Sequence, residues 1–179
     1  DGTKSFIQGF PIWGTLISLS RKKEIILGLA DIPALNERYV GYLKFSYKIK
    51  NSKQTKLKVK KTDKIKESIL NTTSPYVFAN KKDQKIFEKL AKEVKTVRLG
   101  GDCYSYCLLA DGHIDLVIES GLKPWDIRAL EPIIINAGGI LKTWEGNKIL
   151  HGGRIIAATN DKLYKKVKNK INKKNPVKK

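Results

Sequence analysis

The chain has 179 residues, 41% of them hydrophobic, and a formal net charge of +19 from 36 Lys and Arg against 17 Asp and Glu. That apolar fraction can supply a core and excludes wholesale disorder, and no apolar run approaches the ~20 residues that cross a bilayer, so no membrane partner is expected. The charge is nearly all lysine, in two blocks from Lys44 to Lys66 and from Lys165 to Lys179, with little aromatic interleaving beyond Phe45 and Tyr47. Base readers and phosphate clamps favour arginine forks and stacking rings, so these lysines read as a solvated surface; no specific nucleic-acid partner is expected.

The predicted elements begin with Asp1-Gly2-Thr3-Lys4-Ser5, which reads as a strand end passing into a helix. Ile12 to Ser20, Glu24 to Ala30 and Arg38 to Leu43 read as short β-branched strands, separated by Arg21-Lys22-Lys23 and by Pro33, and suggest an antiparallel meander. Asn51 to Gln54 reads as a polar turn, Leu57 to Val59 as a further strand, and Ser68 to Thr72 as another before the break at Ser74-Pro75. The rhythm then changes. Lys82 to Val94 sets Ile86, Phe87, Leu90, Ala91 and Val94 at helical spacing. A strand (Thr96 to Leu99), a helix (Cys103 to Ala110) and a strand (Ile114 to Glu119) follow. Pro124 opens a further helix that runs to a stop at Gly138-Gly139. Ile140 to Trp144 and Arg154 to Ala158 are strands, and a basic helix from Asp161 buries Leu163, Val167 and Ile171 on one stripe.

A meander followed by alternating α and β predicts an α/β (α+β) layered sandwich with a boundary near residue 74, dividing the chain into 1–73 and 74–179. Cys103 and Cys107, four apart on one helix face, read as buried small hydrophobes, which suits a reducing cytoplasm.

Several residues could carry chemistry. In the turn at Asp1-Gly2-Thr3 the N–H groups of Gly2, Thr3 and Lys4 could meet an anion, with Asp1 facing a cation held against it; an ordinary helix cap is the plain alternative. Asp126 falls in the first turn after Pro124, where the helix dipole stabilises a carboxylate whether or not it binds a metal. Glu119 ends the apolar strand Leu116-Val117-Ile118 and can accept from a substrate hydroxyl or amine. Gly100-Gly101-Asp102 is either a close approach to a ligand or a tight turn. His113 and His151 have no partner at metal-ligand spacing. No nucleophile elbow or Walker loop occurs, so covalent serine chemistry and nucleoside triphosphate hydrolysis are poorly supported.

Taken in order and spacing, these segments resemble the inositol-monophosphatase-like superfamily of magnesium-dependent, lithium-sensitive phosphatases, and its bacterial histidinol-phosphate phosphatase branch in particular. Asp1-Gly2-Thr3 would be the last three residues of that family's Asp-Pro-x-Asp-Gly-Thr signature. Lys4 to Ile7, Trp13 to Ile17, Gly101 to Tyr104, Ala110 to Leu116 and Gly121 to Asp126, with Gly138-Gly139 beyond, continue the likeness over most of the chain. The resemblance implies a layered αβαβα sandwich lacking its N-terminal part. It also implies Mg2+ held by Asp1 and Asp126, and phosphate bound on the backbone N–H groups of Gly2 and Thr3. The Thr3 hydroxyl would orient the attacking water, and Asp102 and Glu119 would touch the leaving alcohol.

The implied reaction is in-line hydrolysis of a phosphate monoester, most naturally histidinol phosphate in histidine biosynthesis, by a cytoplasmic enzyme that could be a homodimer. An inositol-phosphate, sugar-phosphate or nucleotide 3′-phosphatase is the second reading on the same scaffold. A basic nucleic-acid-binding protein is the reading from another class. A catalytically dead regulatory relative is argued against by the retained Asp1 and Asp126. Because the family's upstream acidic residues and the first aspartate of its signature are not in this sequence, the 179 residues alone are expected to be inactive.

Overall fold

The computed structural model describes residues 1–172; the lysine tail from residue 173 onward lies outside them. A five-stranded antiparallel sheet comes first, its strands paired in chain order: β1 (Thr15–Arg21), β2 (Glu24–Ile32), β3 (Glu37–Tyr42), β4 (Phe45–Lys50) and β5 (Lys53–Lys56). This is the predicted meander, with two strands more than the sequence reading placed there. In β4, Phe45, Tyr47 and Ile49 alternate with Ser46, Lys48 and Lys50, a strand period hidden by its lysines. Lys48 forms an ion pair with Asp111, and Lys50 pairs with Glu37 at 2.8 Å.

The expected turn over 51–54 is shorter than predicted. Asn51 and Ser52 both take positive φ (47° and 63°), the geometry of a two-residue hairpin, so β5 starts at Lys53. The segment expected as a strand at Leu57 to Val59 is irregular; its amides bond singly to Ser46 and Ala137 instead of to a ladder.

The second sheet contains β6 (Ile69–Thr72), β7 (Thr96–Leu99), β8 (Leu116–Leu122), β9 (Ile140–Thr143) and β10 (Gly153–Ala158), in the order β7-β6-β8-β10-β9. β6 runs parallel to β7 and β8, while β10 is antiparallel to β8 and β9. Thus β6, which precedes the composition break at residue 74, pairs in the second sheet.

Two short helices, α1 (Thr3–Ile7) and α4 (Pro124–Ile127), flank the sheets, and four longer ones build the layers: α2 (Lys81–Ala91), α3 (Asp102–Ala110), α5 (Leu130–Asn136) and α6 (Asp161–Asn172). α3 and α5 lie between the sheets, where Tyr106, Leu109, Leu130, Ile133 and Ile134 meet Ala30, Ile32 and Tyr39 on one side and Val117, Ile155 and Ala157 on the other. α2 and α6 cover the far face of the second sheet through Phe87, Leu90, Leu163, Val167 and Ile171. The layers therefore run sheet, helices, sheet, helices.

One predicted helix proves to be two. The segment from Pro124 toward Gly138 breaks after Ile127 and resumes at Leu130. Pro132 has no N–H to give to the carbonyl four residues earlier, and its ring crowds that carbonyl, so a continuous helix across Arg128 is disfavoured.

What joins the halves is a row of small residues across the first sheet. Gly28 of β2 faces Gly41 of β3, which faces Ser46 of β4. The α5 segment lies directly on their backbone. A Cβ on Gly28 would fall 1.9 Å from the Ala129 carbonyl oxygen, and one on Gly41 would fall 2.3 Å from Ile133 N. Ser46 completes the row by donating its hydroxyl to the Ile133 carbonyl at 2.8 Å. Because backbone, not a flexible side chain, occupies that space, Gly28→Ala should cost about 3 kcal/mol or more, at or beyond the upper end of ordinary overpacking. Urea unfolding of the variant checks this; a loss of less than about 1 kcal/mol would show that α5 can shift off the sheet.

Candidate functional site

Two helix starts meet at one end of the inter-sheet layer. Gly14 and Asp1 exchange backbone hydrogen bonds at 2.7 and 3.0 Å. Gly14 is itself tightly enclosed, since a Cβ there would lie 2.7 Å from Ile32 Cδ1, 2.8 Å from the Asp31 carbonyl and 3.1 Å from Cys103 Sγ. This packing brings Asp1 to the start of α3, where its Oδ2 accepts from the Cys103 amide at 2.7 Å. In return, Asp102 at the start of α3 accepts from the Ser5 hydroxyl of α1 at 2.8 Å. Each helix start therefore receives the acid of the other, Asp1 on a backbone N–H and Asp102 on a hydroxyl.

The turn that delivers Asp102 is unusual. Gly100, Gly101 and Asp102 all have positive φ, at 90°, 116° and 42°. Aspartate tolerates the left-handed region better than most residues, yet three in succession bend the chain sharply where β7 hands over to α3.

Glu119 stands near the end of β8 and is buried at 4% exposure. Its Oε1 accepts from the Thr73 amide and its Oε2 from the Tyr106 hydroxyl, each at 2.8 Å. Burial pushes its carboxyl above the ordinary range, against the pull of those two donors and with help from the negative charge of Asp102. Tyr106 is pushed well above the usual phenol range, by burial and then by Glu119, and so stays a donor. Asp126 lies in α4, with its Oδ2 accepting from the Lys123 amide at 2.7 Å in a capping box.

Asp1, Asp102, Glu119 and Asp126 all line one cleft of about 140 Å³. Gly2 and Thr3 are not part of its wall. Gly2, at φ 81°, is buried against Trp13, and Thr3 is exposed on the first turn of α1 beside the cleft. A larger groove of about 390 Å³ lies elsewhere, beside Ile25, Leu43 and Ile135. It gathers no comparable set of acids, so the smaller cleft is the candidate site.

Sequence reasoning did not reach Ser5, Thr73, Tyr106 or Ser120. Tyr106 carried a readable signal, since it follows Asp102 by four residues on the same helix face. Thr73 becomes a partner of Glu119 only through the parallel pairing of β6 with β8.

In a chain of net charge +19, none of the four cleft carboxylates has an ion-pair partner among the described residues. A cation would satisfy that concentration of negative charge. All four are hard oxygen donors, and the nearby Cys103 thiol is pushed up by burial and by Cys107, so it remains protonated. The donor set suits magnesium rather than a soft metal. Among the described residues no three His, Cys, Asp or Glu side chains stand close enough together to hold a metal. Magnesium fits even so, because it is commonly held by one or two carboxylates with water and substrate phosphate completing its octahedron. Asp1 and Asp126 each keep one carboxylate oxygen free of donors among the described residues.

Comparison with known proteins identifies the family. The profile of the inositol monophosphatase family matches residues 1–175. The chain is 44% identical over 155 residues to the bifunctional phosphatase IMPL2, chloroplastic, of Arabidopsis thaliana, covering 84% of this chain and 42% of the relative. It is 32% identical over 175 residues to a histidinol-phosphatase of Mycobacterium tuberculosis, covering 96% and 66%. An inositol monophosphatase from Zymomonas mobilis superposes with a TM-score of 0.89 at 35% identity, covering 96% of this chain and 67% of that one. The chain thus spans less than two thirds of the two relatives' lengths. It belongs to the inositol monophosphatase family. No helix among the described residues is long and apolar enough to cross a membrane.

The raised carboxyl of Glu119 has a consequence for stability. The folded state binds that proton more tightly than the unfolded state, so the ionised form costs stability at neutral pH. The cost disappears as pH falls through the folded-state pKa. Glu119→Gln keeps an acceptor for Thr73 and removes the charge, so it should raise Tm at pH 7, with the gain shrinking as pH falls into the carboxylate range. Thermal melts against pH decide the matter; an equal or lower Tm at pH 7 would mean that the Thr73 and Tyr106 hydrogen bonds already outweigh burial.

Proposed function

We propose that this protein hydrolyses a small phosphate monoester with magnesium, and that histidinol phosphate is its substrate. The observation that carries the reading is the convergence of Asp1, Asp102, Glu119 and Asp126, without counter-charges, on one cleft. Asp1 and Asp126 would hold the metal. Magnesium, when bound, supplies neutralisation of phosphate oxygens and activation of water.

The remaining work falls to the chain. The first turn of α1 stands beside the cleft wall rather than in it; to this turn we assign the ester's phosphate, on the N–H groups of Gly2 and Thr3, and to the Thr3 hydroxyl the orientation of the attacking water in line with the leaving oxygen. Asp102 and Glu119 stand on the leaving-alcohol side. Histidinol carries an amine that is positive at neutral pH and an imidazole that can donate, and two acids suit such a group better than they suit a neutral polyol. The histidinol-phosphatase likeness at 32% identity supports that choice. The setting we infer is a reducing, cytoplasmic one, in keeping with the two free, buried thiols. The 35% identity to an inositol monophosphatase favours inositol phosphate as the second reading.

Two measurements on the full-length protein test this. Asp126→Asn nearly preserves size but removes a charged ligand, and should lower the magnesium-dependent rate by about 10²-fold or more, equivalent to ~3 kcal/mol of lost stabilisation. Near-normal turnover at saturating magnesium would remove Asp126 from the metal site. In a panel of histidinol phosphate, inositol phosphate and phenyl phosphate, Asp102→Asn should weaken kcat/KM most for histidinol phosphate and least for phenyl phosphate. Preference of the unaltered protein for inositol phosphate would defeat the histidinol assignment and leave the phosphatase reading standing.

A further inference from the structure

Behind the cleft lies a second buried acid that no step above uses. Asp83, in the first turn of α2, is 0% exposed. Three side chains donate to its carboxylate, two of them from strands of the second sheet and one from the cap of its own helix. The Ser120 hydroxyl of β8 reaches Oδ2 at 2.5 Å, Asn80 Nδ2 reaches the same oxygen at 3.2 Å, and Arg154 Nη1 of β10 reaches Oδ1 at 3.1 Å.

The place where they meet is a β-bulge. β8 and β10 pair Glu119 with Ile155 and Leu122 with Gly153, so Ser120 and Gly121 together oppose the single residue Arg154. Gly121 takes φ 91° there, a conformation open to glycine. A bulge leaves backbone out of the ladder and re-aims its neighbours, and the immediate neighbour here is Glu119. Asp83 grips both sides of the irregularity at once, Ser120 on the bulged strand and Arg154 opposite it. Arg154 is held from behind by Glu145 and lies 5.2 Å over the Trp144 ring. The same helix also meets the cleft wall one turn further on, since Phe78, which lines the cleft, packs on Phe87 of α2 with ring centroids 5.5 Å apart.

We propose that Asp83 is a positioning residue: it clamps the Ser120–Gly121 bulge and thereby fixes Glu119 on the leaving-group side of the cleft. Asp83 touches no substrate; it acts through Ser120. The kinetic consequence rests on the phosphatase reading, whereas the clamp itself does not.

The test uses Asp83→Asn, Ser120→Ala and the double variant in the full-length protein, with magnesium. Asp83→Asn should lower kcat/KM about tenfold on whichever panel ester with an extended leaving group turns over fastest, mainly through KM, and by no more than about twofold on phenyl phosphate, with the magnesium requirement unchanged. Ser120→Ala, the milder change should Asp83→Asn fold poorly, should show the same split. The double variant should be no worse than Asp83→Asn alone, because the two act as one unit. Equal losses on both esters, or additive losses in the double variant, would overturn the proposal. Hydrogen exchange is the readout independent of activity: Asp83→Asn should speed exchange of the amides from Glu119 to Leu122 over those of β6 and β9. Unchanged exchange there would refute the clamp even if the protein hydrolyses no ester, an outcome that would separately remove the phosphatase reading.

Discussion

The whole arrangement depends on a helix lying against bare backbone. Where Gly28, Gly41 and Ser46 line up across the first sheet, α5 comes closer than any side chain would permit. Close packing of this kind is stiff, because the atoms in contact are main-chain atoms that cannot rotate out of the way. Its consequence reaches the cleft. Asp126 stands only four residues before α5 begins, so the seat of α5 sets where Asp126 is. Gly14 plays the corresponding part for Asp1, wedged between Ile32 and Cys103. Sites of this type need their groups held within about 0.5 Å, a tolerance that contacts to backbone can meet and loop side chains often cannot.

Charge is arranged around that frame by exclusion. Lys48 and Lys50 pair with Asp111 and Glu37, while Lys165 and Lys170 of α6 pair with Asp161 and Glu93. None pairs with a cleft acid. Those acids are tolerated without counter-charges because backbone N–H groups and hydroxyls solvate them: Cys103 for Asp1, Ser5 for Asp102, Thr73 and Tyr106 for Glu119, Lys123 for Asp126. The arrangement stabilises each carboxylate enough to remain in place while leaving the group as a whole attractive to a cation. The left-handed Asp102 and the raised carboxyl of Glu119 are local costs borne by the surrounding fold, as expected where a site and not stability sets the geometry.

A different feature lies on the far side of the first sheet. Leu19, Tyr42 and Phe45 lie in one cross-strand row on its outer face with Ile17 two residues along, and each of the four is more than 40% exposed. Antiparallel sheets commonly turn one face to water, but that face is then mostly polar. This sheet is apolar on both faces, and among the described residues its inner face is the one that helices cover.

Much of this was legible from the residues because local rules govern it. The β-branched meander, the amphipathic spacing of α2 and α6, Pro124 at a helix start and the acids of the cleft are statements about neighbours in sequence. The strand β4 was obscured because its inward lysines find partners 13 and 63 residues away. The split between α4 and α5 was signalled by Pro132 and outweighed by the apolar run around it. What the sequence by itself determined was most of the elements outside β4, β5 and the α4–α5 break, the family likeness and the identity of Asp1, Asp102, Glu119 and Asp126 as candidate acids. Only the tertiary structure decided that these four share a cleft, that β6 belongs to the second sheet, and that Tyr106, Thr73 and the Asp83 clamp support Glu119. Those relations join residues tens of positions apart through parallel pairing and backbone contact, and no local pattern encodes a separation in space.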